Sequence, residues 1–370
     1  MGGNHKKVLI QMRDLRVGNG IATCIMNYYE QTLEKGFYID FLLNRDIESP
    51  FKDRVINQGG NIFVLPKDSS KPNIANRKYI SQVVSDRYDI LHVNITGLNA
   101  LISLLFAKKA GIPQRIYHAH NPKETSSLVA RIRSEIYENP CVFLANQYAA
   151  CSKYAGDSLF GSRNYTVLKN AMDVSRFYYD ESAREKLRRE LNVENNFVVG
   201  VVARFAEQKN PFFTVDIFSE LKKKIDKATL IWAGDGPLKE AVNKYISEQG
   251  LSESIRLIGL RTDVNKLYSA MDMFLLPSKF EGFGNVFLEA QISGLQCFGS
   301  DRIPVDVEVS SQMFRVSLDK KAFEWADYII GKLEEKNRSE IIETGFDIAN
   351  VSDDLAKMYS LKEDNTCKNC

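Results

Sequence analysis

Short apolar runs without polar alternation, each followed by a stretch with helical spacing, recur along both halves of this 370-residue chain. A strand covered on one face alternates apolar and polar residues; a strand of a parallel sheet, buried on both faces, does not. The candidate strands of the first half are Val8–Met12, Tyr38–Leu43, Asn61–Leu65, Ile90–Val93, Arg115–Ala119, Ala149–Ser152 and Thr166–Lys169. Helix-like stretches at Ala22–Glu34, Ile74–Asp86, Leu98–Ala110 and Ser126–Tyr137 lie between them. The second half repeats the arrangement with strands at Phe197–Val202, Ala228–Ala233, Ser254–Ile258, Met273–Pro277 and Gln296–Gly299. Helical patterns at Pro211–Lys224, Pro237–Gln249, Asp263–Ala270 and Asn285–Ser293 separate these, and three more close the chain at Lys320–Lys336, Arg338–Asn350 and Asp353–Leu361. The order predicts two α/β domains, each a doubly wound parallel sheet that binds ligands beyond the carboxyl ends of its strands.

The first domain is expected over 1–172 and the second over 197–350, followed by a helix and tail over 351–370. Residues 173–196, charged and polar with no buried-strand signal, read as a linker. Six cysteines are too few for a disulfide framework. Cys24, Cys141, Cys151 and Cys297 have apolar neighbours and read as core, while Cys367 and Cys370, lacking a second pair or a histidine, read as a polar tail. No apolar run reaches the ~18 residues of a spanning helix, and no secretory signal is visible, so the expected compartment is cytoplasmic. The 49 basic and 47 acidic residues nearly cancel, which argues against a nucleic-acid binder driven by bulk charge. The balance is uneven, however. Residues 1–172 hold 22 basic and 14 acidic residues, a net of +8, and residues 173–370 hold 27 and 33, a net of −6. Lys108, Lys109, Arg115, Lys123, Arg131 and Arg133 concentrate the positive charge, and a basic face of this kind suits an anionic membrane.

Four segments bear chemistry. After the strand Phe197–Val202 come Arg204 and, five residues on, Lys209. A forked guanidinium beside a point-charge ammonium suits a diphosphate, although a solvated basic loop has the same composition. The turn Gly234-Asp235-Gly236-Pro237 reads mainly as structural punctuation, with Pro237 at a helix start. The third segment, Ser278 to Ala290, carries Glu281 in a glycine-bearing loop and Glu289 in the next helix. The start of that helix, near Asn285 and Val286, would attract an anion, and Glu289 could accept from vicinal ribose hydroxyls. In the first half, Gly18-Asn19-Gly20 follows the opening strand as a weak phosphate-loop pattern. His118 and His120 end another strand, on one face of it. Two histidines without further ligands do not make a metal site, so His120 is read as a polar group lining the site.

Taken in order, these features resemble the retaining glycosyltransferases of family 4. The resemblance rests on the Gly18–Gly20 loop, His120, Lys169-Asn170-Ala171-Met172-Asp173, Arg204 with Lys209, Gly234-Asp235-Gly236-Pro237 and the Glu281-x7-Glu289 signature. It implies a GT-B fold: two Rossmann-like domains facing each other across a cleft, acceptor domain first and donor domain second, with the last helix crossing back to the first. It implies that Arg204 and Lys209 bind the diphosphate of a nucleotide-sugar, that Glu289 holds the ribose, and that Glu281 contacts the donor sugar. Phe283, Gly284, Asn285 and Val286, with Gly18, Asn19 and Gly20, would close around phosphates and sugar. Leu260 and Arg261 would meet the base, and His120 would stand beside the reacting sugar. The catalytic set is then His120, Arg204, Lys209 and Glu281. Three departures from the family pattern stand out: the first loop lacks the further glycine and acid, Gly284 replaces a proline, and Ala203 replaces a glycine. The last two are expected to matter little.

The expected activity is retaining transfer of a hexosyl or N-acetylhexosaminyl group, from a UDP-sugar, to a glycan or polyprenyl-diphosphate-linked acceptor in capsule or exopolysaccharide synthesis. No Asp-x-Asp pattern is present, so neither a metal nor another cofactor is expected. Two other readings compete: a non-hydrolysing UDP-sugar epimerase, for which no acid/base set is evident, and a non-catalytic protein that keeps the fold.

Overall fold

A computed structural model of the chain describes residues 5–17, 19–67, 73–85, 88–123, 128–333, 338 and 344–361. The chain divides into two compact units, Met1–Met172 with Phe346–Cys370, and Asp173–Gly345.

The first unit holds seven parallel strands: β1 Lys6–Met12, β2 Phe37–Leu43, β3 Ile62–Val64, β4 Ile90–Val93, β5 Gln114–Ala119, β6 Gln147–Ala150 and β7 Thr166–Val167. Their order is β3-β2-β1-β4-β5-β6-β7. The chain fills one side of β1 and then the other, so the switch point lies between β1 and β4, where loops diverge and leave room for a ligand. Ile10 and Met12 of β1 are buried with Tyr28 and Tyr29 of helix Gly20–Glu34 and with Leu355 and Tyr359 of helix Asp354–Ser360. The last helix thus completes the core of the first unit. The chain returns to it at Phe346: the Met172 amide donates to Phe346 O at 2.9 Å, and the Ile348 amide to Met172 O at 2.9 Å.

The second unit holds six parallel strands, β8 Phe197–Val202, β9 Ala228–Ala233, β10 Ile255–Gly259, β11 Met273–Leu276, β12 Gln296–Ser300 and β13 Met313–Val316, in the order β10-β9-β8-β11-β12-β13. Its switch point lies between β8 and β11.

Several expectations are corrected. Residues 173–196 belong to the second unit and are not a linker. Helix Glu181–Glu190 packs there through Arg184 and Arg188, whose guanidinium groups hold Asp272 at 2.6 and 3.1 Å. Its apolar stripe is only Ala183 and Leu187, too narrow to register as a buried helix. The return to the first unit begins at residue 346, before the expected 351. The helix expected over Arg338–Asn350 is a short one, Ile348–Val351, with residues 339–343 outside those described. Of the stretch Ser126–Tyr137, Ser126 and Ser127 lie outside the described residues, and the rest is a helix Leu128–Arg133 that widens into a π-helical turn over Ser134–Glu138. Strand β13, with Arg315 in its middle, has no continuous apolar run and escaped the pattern. Cys24, Cys141, Cys151 and Cys297 are buried thiols, while Cys367 and Cys370 lie outside the described residues.

Candidate active site

The sharpest group stands at the β8/β11 switch point. Two loops leave these adjacent strands: residues 203–210 after β8 and residues 277–284 after β11. They are stitched together by main chain and side chain alike. The Lys279 amide donates to Gln208 O at 2.7 Å, and Gln208 Nε2 donates to Phe280 O at 3.0 Å. A 3-10 turn over Glu207–Lys209 ends at Asn210, which adopts a left-handed conformation (φ 54°) before Pro211 opens the next helix. That turn aims Lys209 at the second loop. Its Nζ donates to both carboxylate oxygens of Glu281, at 2.6 and 2.8 Å. The Ser278 hydroxyl donates to Glu281 Oε1 at 2.6 Å, so the buried carboxylate accepts three hydrogen bonds and keeps one acceptor site on Oε2. The two residues expected to meet donor phosphate and donor sugar separately are therefore a bonded pair. Arg204, by contrast, is exposed and makes no ion pair among the described residues.

The glycine turn after β9 explains why Arg204 stands where it does. A Cβ on Gly234 would lie 2.0 Å from Ala203 O, and one on Gly236 would lie 2.5 Å from Phe205 O. Only glycine lets this turn lie against the Arg204 loop. The contact is sealed by the Phe205 amide donating to Asp235 O at 3.1 Å and by Trp232 Nε1 donating to Ala203 O at 3.1 Å. The motif is scaffold, as its sequence reading held. Pro237 is not the first helical residue, however, because the helix begins at Lys239.

Helix Asn285–Ile292 starts directly above Glu281, with Gly284 as its N-cap residue at φ 97°. This backbone suits glycine and not proline: proline is confined near φ −65°, and an added Cβ would come within 3.1 Å of Phe287. Asn285 and Val286 form the first turn, where helix dipole and amides favour an anion. Phe283 is buried beneath the loop. Glu289, half-buried one turn on, accepts from the Tyr268 hydroxyl at 2.7 Å, and burial pushes its carboxyl above the usual range. Tyr268 was not found from sequence, since it lies in an apolar helix 21 residues upstream. Leu260 is largely exposed. Arg261 is committed elsewhere: Nε and Nη2 donate to Asp263 at 2.8 Å each, and Nη1 to Glu190 at 2.9 Å.

The second group stands at the carboxyl ends of β1, β4 and β5. Asn19 caps helix Gly20–Glu34, accepting from the Ile21 amide at 3.2 Å, and its Nδ2 donates to the buried Asp14 at 3.0 Å. Gly20 is the first helical residue, and Gly18 lies outside the described residues. His118 and His120 do share a face, with ring centroids 3.9 Å apart. The fold adds a third imidazole, His92 of β4, whose Nε2 lies 3.1 Å from His118 Nδ1 and whose Nδ1 lies 2.8 Å from the Tyr359 hydroxyl. His120 Nε2 is 2.8 Å from Asn94 Oδ1. Burial lowers all three imidazoles, His92 and His120 to about 3. They are neutral at any physiological pH. Among the described residues no group of three or more His, Cys, Asp or Glu could hold a metal ion. A signal for His92 and Asn94 was present: they alternate at the end of β4 as His118 and His120 do at the end of β5.

Comparison with known proteins follows the geometry. A family model described as glycosyl transferases group 1 matches residues 183–345. The chain is 28% identical over 341 residues to EpsF of Bacillus subtilis, assigned as a glycosyltransferase, covering 89% of this chain and 88% of that one. It is 27% identical over 234 residues, 58% of each chain, to the UDP-Gal:alpha-D-GlcNAc-diphosphoundecaprenol alpha-1,3-galactosyltransferase of Escherichia coli. Among solved structures, HepE of Anabaena in complex with UDP and glucose superposes with a TM-score of 0.77, at 20% identity, over 96% of this chain and 100% of that one.

Proposed function

The chain is a glycosyltransferase with the GT-B fold, and from that premise we propose that it transfers a hexosyl or N-acetylhexosaminyl group from a UDP-sugar with retention of configuration. The acceptor is a glycan or a polyprenyl-diphosphate-linked saccharide of capsule or exopolysaccharide synthesis. The observation that carries this reading is the Lys209–Glu281 pair beside a helix N-terminus at the β8/β11 switch point, with Arg204 on the same loop as Lys209. Three features there favour a sugar diphosphate: a guanidinium with no ionic partner among the described residues, an ammonium with one N–H still to give, and the positive end of a helix. Glu289 and Tyr268 take the ribose. The galactosyltransferase named above, by its name, uses a UDP-sugar and a lipid-diphosphate acceptor, which supports the same classes here.

Chemically, the bond between the anomeric carbon and the diphosphate oxygen breaks as the acceptor oxygen bonds to the same face, and the acceptor proton passes to the departing phosphate. Glu281, both oxygens of which accept hydrogen bonds, is poorly placed to be a covalent nucleophile, which favours this front-face route. Arg204 and Lys209 stabilise the charge that develops on the leaving diphosphate, a transition-state contribution rather than ground-state binding. His120 accepts a hydrogen bond from substrate. No divalent ion is required.

The experiment is incubation with a panel of UDP- and GDP-sugars, with and without acceptor, following released nucleotide and the anomeric configuration of the product by NMR. Retained product from a UDP-sugar in the presence of chelator is expected. An isomerised donor supports the epimerase, an inverted product overturns retention, and no turnover with any donor favours the binding role.

The first unit also presents a face suited to a peripheral anionic membrane. Helices Leu98–Ala110 and Asn139–Leu144 pack together there. Leu105, Leu128, Val129, Ile132, Ile136 and Phe143 are exposed, interleaved with exposed Lys108, Lys109, Arg131 and Arg133. Arg115 and Lys123 do not contribute, being bonded to Leu144 O and to Asn139. Among the described residues no helix is long and apolar enough to cross a membrane. This face supports peripheral contact of a cytoplasmic protein with the inner face of the cell membrane.

A further inference from the structure

We propose that Asn94 is a positioning residue that locks His120 in the Nε2–H tautomer, so that Nδ1 is presented to substrate as a hydrogen-bond acceptor. The inference rests on the assignment of His120 to the substrate made above and says which of its two nitrogens does the work.

The deduction starts from the Asn94 amide. Asn94 follows β4 at the first unit's switch point, is 3% exposed, and is pinned by its own backbone amide, which donates to Gln11 O at 2.9 Å. Its Nδ2 donates to His92 O at 3.4 Å, and its Oδ1 faces His120 Nε2 at 2.8 Å. Turning the amide by half a turn would set Oδ1 against the His92 carbonyl oxygen, two acceptors face to face. The amide therefore has one acceptable orientation, and an oxygen facing Nε2 requires that Nε2 carry the proton. Nδ1 of a neutral imidazole then holds the lone pair. Among the described residues it has no hydrogen-bond partner, and the residue as a whole is only half-buried, which leaves this nitrogen free to accept from a substrate hydroxyl.

The column beneath fixes the ring plane. The His118 ring packs tilted against His120, with 32° between the ring planes, and His118 is itself stacked on and held by His92, which is held by Tyr359 of the last helix. Burial disfavours the doubly protonated ring at each step. A charged His120 would donate from both nitrogens and could not accept; a neutral one with Asn94 in place can only accept at Nδ1. The side chain is thus suited to hold a substrate hydroxyl hydrogen, and it cannot serve as a general acid from Nδ1.

The full-length protein labelled with 15N-histidine tests this by long-range 1H–15N correlation at about pH 8, where the imidazoles are neutral. Loss of signals in His120→Asn assigns the ring. A protonated Nε2 and bare Nδ1 are expected. Asn94→Ala should convert this to a tautomer mixture and lower kcat/KM for the UDP-sugar donor by about ten-fold or more. If Asn94→Ala does not fold, Asn94→Ser removes the same acceptor position. A protonated Nδ1 in the unsubstituted protein, or an unchanged single tautomer in Asn94→Ala, overturns the lock. Wild-type kinetics in His120→Asn overturn the assignment of His120 to substrate, a failure the NMR arm does not share.

Discussion

Lys209 and Glu281 lie 72 residues apart in sequence and are joined in the fold by hydrogen bonds of 2.6 and 2.8 Å, Lys209 largely and Glu281 almost wholly shielded from water. A buried ion pair contributes little net stability, but deleting one partner leaves the other uncompensated at a cost of about 3–5 kcal/mol. The pair therefore couples the donor site to the stability of the second unit. Lys209→Ala should lower both turnover and melting temperature. Lys209→Met combined with Glu281→Gln should recover much of the stability while activity stays lost. Thermal melts and kinetics on the single and double variants form the cycle; additive stability losses would contradict the coupling.

Arg204 makes the opposite prediction. It is exposed and has no ionic partner among the described residues, so Arg204→Ala should move stability by no more than about 0.5 kcal/mol. Its loss should cost kcat about 10²-fold or more, as removal of a leaving-group stabiliser does. Near-normal turnover would remove Arg204 from the transition state.

Gly284 holds φ 97° at the start of the helix that follows Glu281. Gly284→Ala should destabilise by about 1–3 kcal/mol through strain and the close approach to Phe287. Gly284→Pro should be worse, because its ring excludes positive φ. Denaturant midpoints for the two variants check the order.

Stability should fall in acid through the buried imidazoles. His92, His118 and His120 are shifted down by burial, His92 and His120 to about 3. In the unfolded chain each titrates near 6.5, so between about 6.5 and 3 the unfolded state binds more protons than the folded state. Stability is full above 6.5 and declines as pH drops through that window, by about 2 kcal/mol at pH 5 for each of His92 and His120, with His118 acting in the same direction. Urea midpoints between pH 7.5 and 5 measure the slope, and His118→Asn should flatten it by one proton's share, about 1.4 kcal/mol per pH unit.

The apolar and basic face of the first unit should bind anionic vesicles. Flotation with phosphatidylglycerol liposomes should carry the protein upward, and with phosphatidylcholine should not. Leu128→Glu with Val129→Glu should abolish flotation while leaving the activity on a soluble acceptor unchanged. Equal flotation with both lipids would argue against an electrostatic contribution.

The alternation of strands and helices was legible because each signal is local: a run of apolar and β-branched residues such as Ala228–Ala233 states its burial on both faces within six residues. Helix Glu181–Glu190 and strand Met313–Val316 were missed for the converse reason. Each buries only a few apolar side chains, and Arg184 with Arg188 joins the unit through an ion pair to Asp272, a contact that no periodicity announces. Arg204, Lys209, Glu281 and Glu289 were legible as a spaced set because loop chemistry sits at fixed offsets from strand ends.

What each of those side chains touches was beyond the sequence. Spacing along the chain establishes which loop a residue occupies, since a strand and its loop are covalently continuous. It does not establish which strands become neighbours. The β8/β11 and β1/β4 adjacencies come from sheet order, a long-range outcome of packing. They bring Lys209 onto Glu281 across 72 residues, and the last helix brings Tyr359 onto His92 across 267. Residue types and strand ends are written locally; pairing, burial and the tautomer of His120 arise only when distant segments close around one another.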